Sequence, residues 1–140
     1  TPAAINQRVS SLWKAAGSEV VEMSPGEHDA LLASTSHLPH MIAAALARSV
    51  ADGNPAKKAA FCGTGFKDTT RVASGSAAMW VDIIDTNRVA LESELSRFHE
   101  ELQGLIEILR SGQSDDIRTW LEDARDDRDE ILNRNRFLKK

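Results

Sequence analysis

Three groups of residues in this 140-residue sequence carry side chains able to do chemistry. The first is His28-Asp29 followed by Ser36-His37-Leu38-Pro39-His40. On one helix Asp29, Ser36 and His40 fall near a common face, since eleven residues make about three turns, and His37 and His40 form an i, i+3 pair. An isolated histidine is ordinarily a hydrogen-bonded structural residue, but two flanking a helix-kinking proline point towards a polar site. The second group is Gly63-Thr64-Gly65-Phe66-Lys67-Asp68-Thr69-Thr70-Arg71. It holds only the first part of a dinucleotide glycine pattern: Asp68 stands where the third glycine belongs and no strand precedes it, so it is not a cofactor loop. An arginine in a glycine-broken turn suits another task, because its planar fork can bind a carboxylate through two bonds while Asp68 holds its orientation. An ordinary surface ion pair is the alternative. The third group is Met79-Trp80, which serves either as core or as the wall of a pocket shared with Arg71.

A metal centre is the competing chemistry for the histidines. His28-Asp29 is similar to the dipeptide of HD-type metal phosphohydrolases, but that fold needs a further histidine upstream, and His28 is the first in the chain. Cys62 is the only cysteine, which excludes an internal disulfide and a thiolate cage. No metal site is assigned. The net charge of -4 lacks the basic face that a phosphate backbone requires, so nucleic acid is not expected as a partner. The longest uninterrupted apolar run, Met41 to Ala47, falls short of the roughly 20 residues that span a bilayer, and the N-terminus has no signal pattern. A cytoplasmic protein without a membrane partner is expected.

The elements that must position these residues are mostly helical. Ile5, Val9, Leu12 and Trp13 predict a helix over residues 3 to 16, then a Gly17 turn and a short strand over Ser18 to Met23. Ser24-Pro25-Gly26-Glu27 combines a capping serine, a proline at the first helical position and a glutamate three residues after the cap, and predicts a long helix to about Asp52. Pro39 should kink it near His40. Residues 55 to 62 predict a short helix, which Gly63-Thr64-Gly65 breaks before Phe66 to Ala73. From Ala77 to Arg110 one continuous helix is predicted, with Val81, Ile84, Leu91, Leu95, Phe98, Leu102, Leu105 and Leu109 in a seam that only Arg88 interrupts. Ser114 should cap a last helix, with Asp115 and Asp116 at its start and Arg134, Arg136, Lys139 and Lys140 at its end, and with Ile117, Trp120, Leu121, Ala124, Ile131 and Leu132 along its packing face. A lone strand has unpaired edges, so residues 1 to 24 read as the tail of an α/β domain lying outside this chain.

Taken in order, His28-Asp29, Ser36-His37-Leu38-Pro39-His40, Gly65-Phe66-Lys67-Asp68, Thr70-Arg71-Val72-Ala73-Ser74, Met79-Trp80 and Asn87 resemble the C-terminal half of prephenate or arogenate dehydrogenases, over residues 1 to about 110. Thr1-Pro2, Leu12-Trp13, Gly17, Val20 and Met23-Ser24-Pro25 resemble that family's last helix and strand before its helical domain. The resemblance implies an all-α fold: a helical dimerisation domain of the 6-phosphogluconate-dehydrogenase-like C-terminal type over residues 25 to 140, preceded over residues 1 to 24 by one helix and strand left from the nucleotide-binding domain. It implies an oxidative decarboxylation of prephenate or arogenate in tyrosine biosynthesis, with NAD or NADP bound by the N-terminal domain. That domain would also hold the general base, so the fragment alone should not turn over substrate and carries no catalytic or cofactor-binding residue. Carried over by position, Arg71 matches the arginine that binds a substrate carboxylate and His40 a histidine lining the pocket. Asp68 and Trp80 lie in the same wall, Asp29 matches an aspartate of a supporting ion network, and His37 stands behind them. Thr64 replaces an expected glycine and Thr69 an expected aromatic residue, which bears on the loop's shape and on the choice between prephenate and arogenate.

A rival from another class is a pure interaction module, a helical homodimer whose seam is its whole function. The two readings part on whether Asp68, Arg71 and His40 converge on one open cavity. Binding of tyrosine as a feedback inhibitor is compatible with either, because product resembles substrate.

Overall fold

The computed structural model describes residues 2–135. Among them every regular element is helical. The chain divides into two units, Thr1–Glu92 and Ser93–Lys140.

In the first unit, helix α1 (Ala3–Ala15) forms as its spacing predicts, and Gly17 ends it at φ +84°. Its apolar residues remain outside any core: Leu12 is 67% and Trp13 55% exposed. The strand expected over Ser18 to Met23 does not form; the segment is irregular. A strand exists only through its ladder, and this chain supplies no neighbouring strand.

Helix α2 (Pro25–Leu32) starts with the expected box: the Glu27 amide donates to Ser24 Oγ at 3.2 Å and the Ser24 amide to Glu27 Oε2 at 2.7 Å. A π-helical segment, Ala33–His37, joins it to α3 (Leu38–Ala51). Pro39 has no amide hydrogen, and the wide turn before it absorbs the missing bond, with the Leu38 amide reaching back to the Ala33 carbonyl. The Ser34 and Thr35 hydroxyls donate to the Leu31 carbonyl at 3.1 and 2.6 Å and cover an acceptor that the shifted register would leave bare. The proline is therefore answered by a one-turn widening. Over its 27 residues Pro25–Ala51 is, by length and composition alone, apolar enough to cross a bilayer, which run-counting on Met41 to Ala47 missed because Ser, Thr and His interrupt the pattern. Its inner face is nonetheless a protein core, with Ala33 at 0% and Ala43 at 2% exposure.

Helix α4 (Pro55–Ala59) is capped by Asn54, whose Oδ1 accepts from the Lys57 amide at 3.0 Å. Helix α5 (Thr64–Thr70) begins inside the glycine pair, with Gly63 as its cap residue and Gly65 in its first turn, two residues before the expected start at Phe66, and the break lies over residues 60–63. The chain then tightens into a 3-10 turn, Arg71–Ser74, which packs on α3, as α5 does.

The single helix expected from Ala77 to Arg110 is two: α6 (Ala77–Thr86) and α7 (Arg88–Ser111). Asn87 separates them at φ -130°, ψ 29°, its buried amide engaged elsewhere. Leu91, 3% exposed, completes the core of the first unit.

The second unit holds the rest of α7 and α8 (Ser114–Arg134), linked by Gly112 at φ +68°. Gln113, not Ser114, takes the cap position, and Ser114 is the first helical residue. Asp115 and Asp116 lie in the first turn and Arg134 in the last, as the helix dipole favours. Arg136, Lys139 and Lys140 fall outside the described residues. Leu95, Phe98, Leu105, Ile108, Ile117, Trp120 and Leu132 are half-buried, yet no described residue of this unit is fully buried.

The surface is far larger than the chain length requires. A compact monomer of 15.3 kDa exposes about 7,100 Å², and two separate globules of these unit lengths about 8,500 Å². The chain exposes 11261 Å². Large apolar side chains are among what is exposed, including Phe61 at 84% and Val89 at 83%.

Candidate functional site

The polar core of the first unit is where the sequence-selected histidines meet. The π turn and α3 bring His37 and His40, 7% and 6% exposed, onto the side that faces α6. Trp80, near the start of α6, lies between them. Its indole stacks on the His40 ring with centroids 3.5 Å apart and planes 16° from parallel, and meets His37 edge to face at 6.1 Å and 88°. Burial disfavours the charged imidazolium and holds the His40 pKa below the usual histidine value. Among the described residues the His40 ring nitrogens have no hydrogen-bond partner.

The chain passes close over this stack at Gly75. A Cβ there would stand 2.8 Å from Trp80 Nε1 and 3.2 Å from His40 Cε1, so only glycine fits. Gly75 directly follows the Arg71–Ser74 turn, whose first residue carries an exposed guanidinium. The turn is held by the Ser74 hydroxyl donating to the Arg71 carbonyl at 2.8 Å. Arg71, His40 and Trp80 thus belong to one neighbourhood of the fold.

Asp68 does not hold Arg71. Among the described residues no ion pair joins them, and both side chains face solvent. Thr70, between them, lies at φ -95° and ψ 0°, outside helical geometry, so Asp68 and Arg71 do not share a regular helix. Asp29 binds its neighbour instead, its Oδ1 lying 3.0 Å from His28 Nδ1 at the surface. None of the four principal hollows among the described residues is lined by Asp68, Arg71 or His40, so convergence of the three on one open cavity is not seen there. A groove of about 890 Å³ lies elsewhere, between α1, the segment around Val20 to Ser24, and His28. A smaller hollow of about 160 Å³ sits between the end of α3, α4 and α5, beside Cys62. Among the described residues no three His, Cys, Asp or Glu side chains converge.

Two residues that carry no site role in the sequence alone prove central, one of them, Asn87, already part of the family resemblance. Asn87, 8% exposed, donates from Nδ2 to the Asp29 carbonyl at 2.8 Å and stands 3.2 Å from His37 Nδ1. Gly75 is the other. Asparagine inside an apolar seam was the available signal for the first; nothing in Ser74-Gly75-Ser76 distinguishes a close approach from an ordinary turn.

Comparison with known proteins places these features in a family. Residues 24–123 match the family model "Prephenate dehydrogenase, dimerization domain". The chain is 31% identical over 126 residues to a prephenate dehydrogenase of Bacillus subtilis (strain 168), covering 88% of this chain and 34% of that protein. It is 33% identical over 118 residues to a cyclohexadienyl dehydrogenase of Zymomonas mobilis subsp. mobilis, covering 82% and 40%. Among solved structures, Synechocystis arogenate dehydrogenase superposes with a TM-score of 0.83 at 29% identity, over 94% of this chain and 49% of that one. A prephenate dehydrogenase from A. aeolicus, in complex with hydroxyphenyl propionate and NAD+, gives 0.83 at 31%, over 94% and 46%. The likeness therefore extends past residue 110, where the sequence motifs ended. The chain spans about a third of the length of the B. subtilis relative and about half of the solved chains.

Proposed function

Because this chain belongs to the prephenate dehydrogenase dimerization-domain family, we propose that it is the substrate-binding and dimerisation half of a prephenate or arogenate dehydrogenase. The all-helical fold is that of the family's C-terminal domain. In this reading residues 1–24 are the last helix and connecting segment of a nucleotide-binding domain, and residues 25–140 are the helical half. The family model's start at residue 24, where the capping box opens α2, supports that division. NAD or NADP, bound by the N-terminal domain, accepts hydride from the cyclohexadienol ring, and loss of CO2 then makes the ring aromatic. The driving force lies in the product, so the residues of this chain mainly bind and orient. The whole enzyme would act as a cytoplasmic homodimer.

Each site residue then has a task. Arg71 binds a substrate carboxylate through its planar fork. His40 offers a ring nitrogen to the substrate's polar groups, and Trp80 presents an indole edge and fixes His40 from behind. Asp68, on the α5 wall, sets the sign of the local field, while Asp29 and His37 support the wall through their shared partner Asn87. Tyrosine, which keeps a carboxylate and the ring, fits the same wall as an inhibitor.

The observation that carries the reading is an exposed Arg71, with no ion pair among the described residues, on the turn that packs against α3 and leads into Gly75 over the His40–Trp80 stack. A lost charge-assisted bidentate contact costs roughly 1.5 to 3 kcal/mol, so Arg71→Lys in the full-length enzyme should lower kcat/KM about ten- to a hundred-fold, chiefly through KM. Arg71→Ala should cost more, and NAD affinity should not change. Steady-state kinetics with prephenate and with arogenate decide it: wild-type kcat/KM in Arg71→Lys would remove Arg71 from the site.

A further inference from the structure

One side-chain amide controls the histidine cluster. The backbone carbonyl of Asp29 can only accept, so the Asn87 atom 2.8 Å from it is the NH2 nitrogen, and the orientation of the amide is thereby fixed. The second hydrogen of that NH2 is directed at His37 Nδ1, 3.2 Å away. His37 Nδ1 must then present a lone pair, and the ring hydrogen sits on Nε2. From His37 the contacts run on without a gap: edge to face onto Trp80, then Trp80 flat on His40, with Gly75 closing the far side where no side chain would fit. Asn87 also separates α6, which carries Trp80, from α7, so the same residue sets the helix ending and the ring cluster.

Resting on the reading that His40 lines the substrate cleft, we propose that Asn87 is a positioning residue for the reaction: it sets the Nε2–H tautomer of His37 and, through the His37–Trp80–His40 stack, fixes the His40 ring towards substrate. Asn87 touches no reactant. Its influence passes through two rings, and it differs from a merely structural residue because the polarity of its hydrogen bonds matters as well as its shape.

Asn87→Asp separates the two, since it keeps the shape and replaces a donor with an acceptor. By NMR of the chain labelled at histidine, wild-type His37 Nδ1 should be unprotonated, and the His40 ring protons should lie upfield because of the stacked indole. In Asn87→Asp the His37 hydrogen should move to Nδ1 and the upfield shift of His40 should shrink. In the full-length enzyme kcat should fall about ten-fold with KM for NAD unchanged, as expected when a positioning contact is lost. If circular dichroism shows that Asn87→Asp does not fold, Asn87→Ser, which keeps a donor at reduced reach, is read through the same signals and should retain part of the His40 shift. A protonated Nδ1 in the wild type, or unchanged His40 signals and kcat in a folded Asn87→Asp, would overturn the proposal. A wild-type enzyme that oxidises neither prephenate nor arogenate would refute the functional reading instead, and the tautomer and His40 signals would still decide whether Asn87 positions the rings.

Discussion

At the scale of the residue, the site depends on a close approach as much as on its titratable groups. Gly75 and Gly65 stand ten residues apart, yet a side chain would have opposite consequences at each. At Gly75 a Cβ would fall 2.8 Å from the indole nitrogen, so Gly75→Ala must displace Trp80 or His40 and should cost about 1 to 3 kcal/mol, as overpacking does. At Gly65, within α5, nothing lies within 4 Å, and Gly65→Ala should stabilise by about 0.5 to 1 kcal/mol by restricting the unfolded chain. Thermal denaturation of the pair checks both signs, and equal shifts would mean that the stack tolerates more space than its geometry allows. The histidines, Arg71 and Trp80 were legible in the sequence because their spacing and residue types are unusual. Asn87 was legible only as one residue of the family resemblance, without a role, and Gly75 not at all, because their importance comes from contacts that linear spacing does not reveal: the Asn87 amide meets His37 across fifty positions. The expected Asp68 to Arg71 pair failed for a related reason, since i, i+3 spacing brings charges together only if the helix between them stays regular.

At the scale of the element, local chemistry was legible wherever the partners are local. The Ser24 capping box is the case in point: both of its bonds form. Ser24→Ala should destabilise the start of α2 by about 1 kcal/mol. The Ser24 amide, as the larger cause, and the Ser24 hydroxyl hold the Glu27 pKa below the usual carboxylate value. A carboxylate with a lowered folded-state pKa contributes stability above its unfolded pKa and loses it as pH falls through the folded one. Melting curves of Ser24→Ala should therefore lose the smaller part of the wild type's acid dependence in that range; an unchanged dependence would show that the Ser24 hydroxyl contributes nothing to it. The wide turn before Pro39 and the break at Asn87 were less legible. Proline announces a disturbed helix without saying whether it bends or widens, and an apolar seam continues across Asn87 although the backbone does not.

At the scale of the whole molecule, the proposed reading gives the irregular segment over residues 18–23 and the exposed apolar faces one cause, contacts with a nucleotide-binding domain and a second copy. Strand-like residues 18–23 stay irregular without a ladder, and the apolar face of α1 stays open. The all-helical class was legible from periodicity, whereas the irregular course of residues 18–23 was not, because a strand depends on a neighbour that spacing along one segment does not supply. Gly63-Thr64-Gly65 opens α5 with no strand before it, so the isolated chain should show no saturable NAD binding in calorimetry at micromolar concentrations, and such binding would overturn the division of labour between domains. The central claim is that this chain is a half-molecule whose apolar helix faces are completed by a second copy. Val81, Leu102, Ile106 and Leu109 on α6 and α7 are 42 to 57% exposed, apolar surface that the proposed second copy would cover. Sedimentation equilibrium of the chain tests this most directly: the account predicts twice the 15.3 kDa chain mass at micromolar concentration, and a monomer mass that does not change with concentration would contradict it.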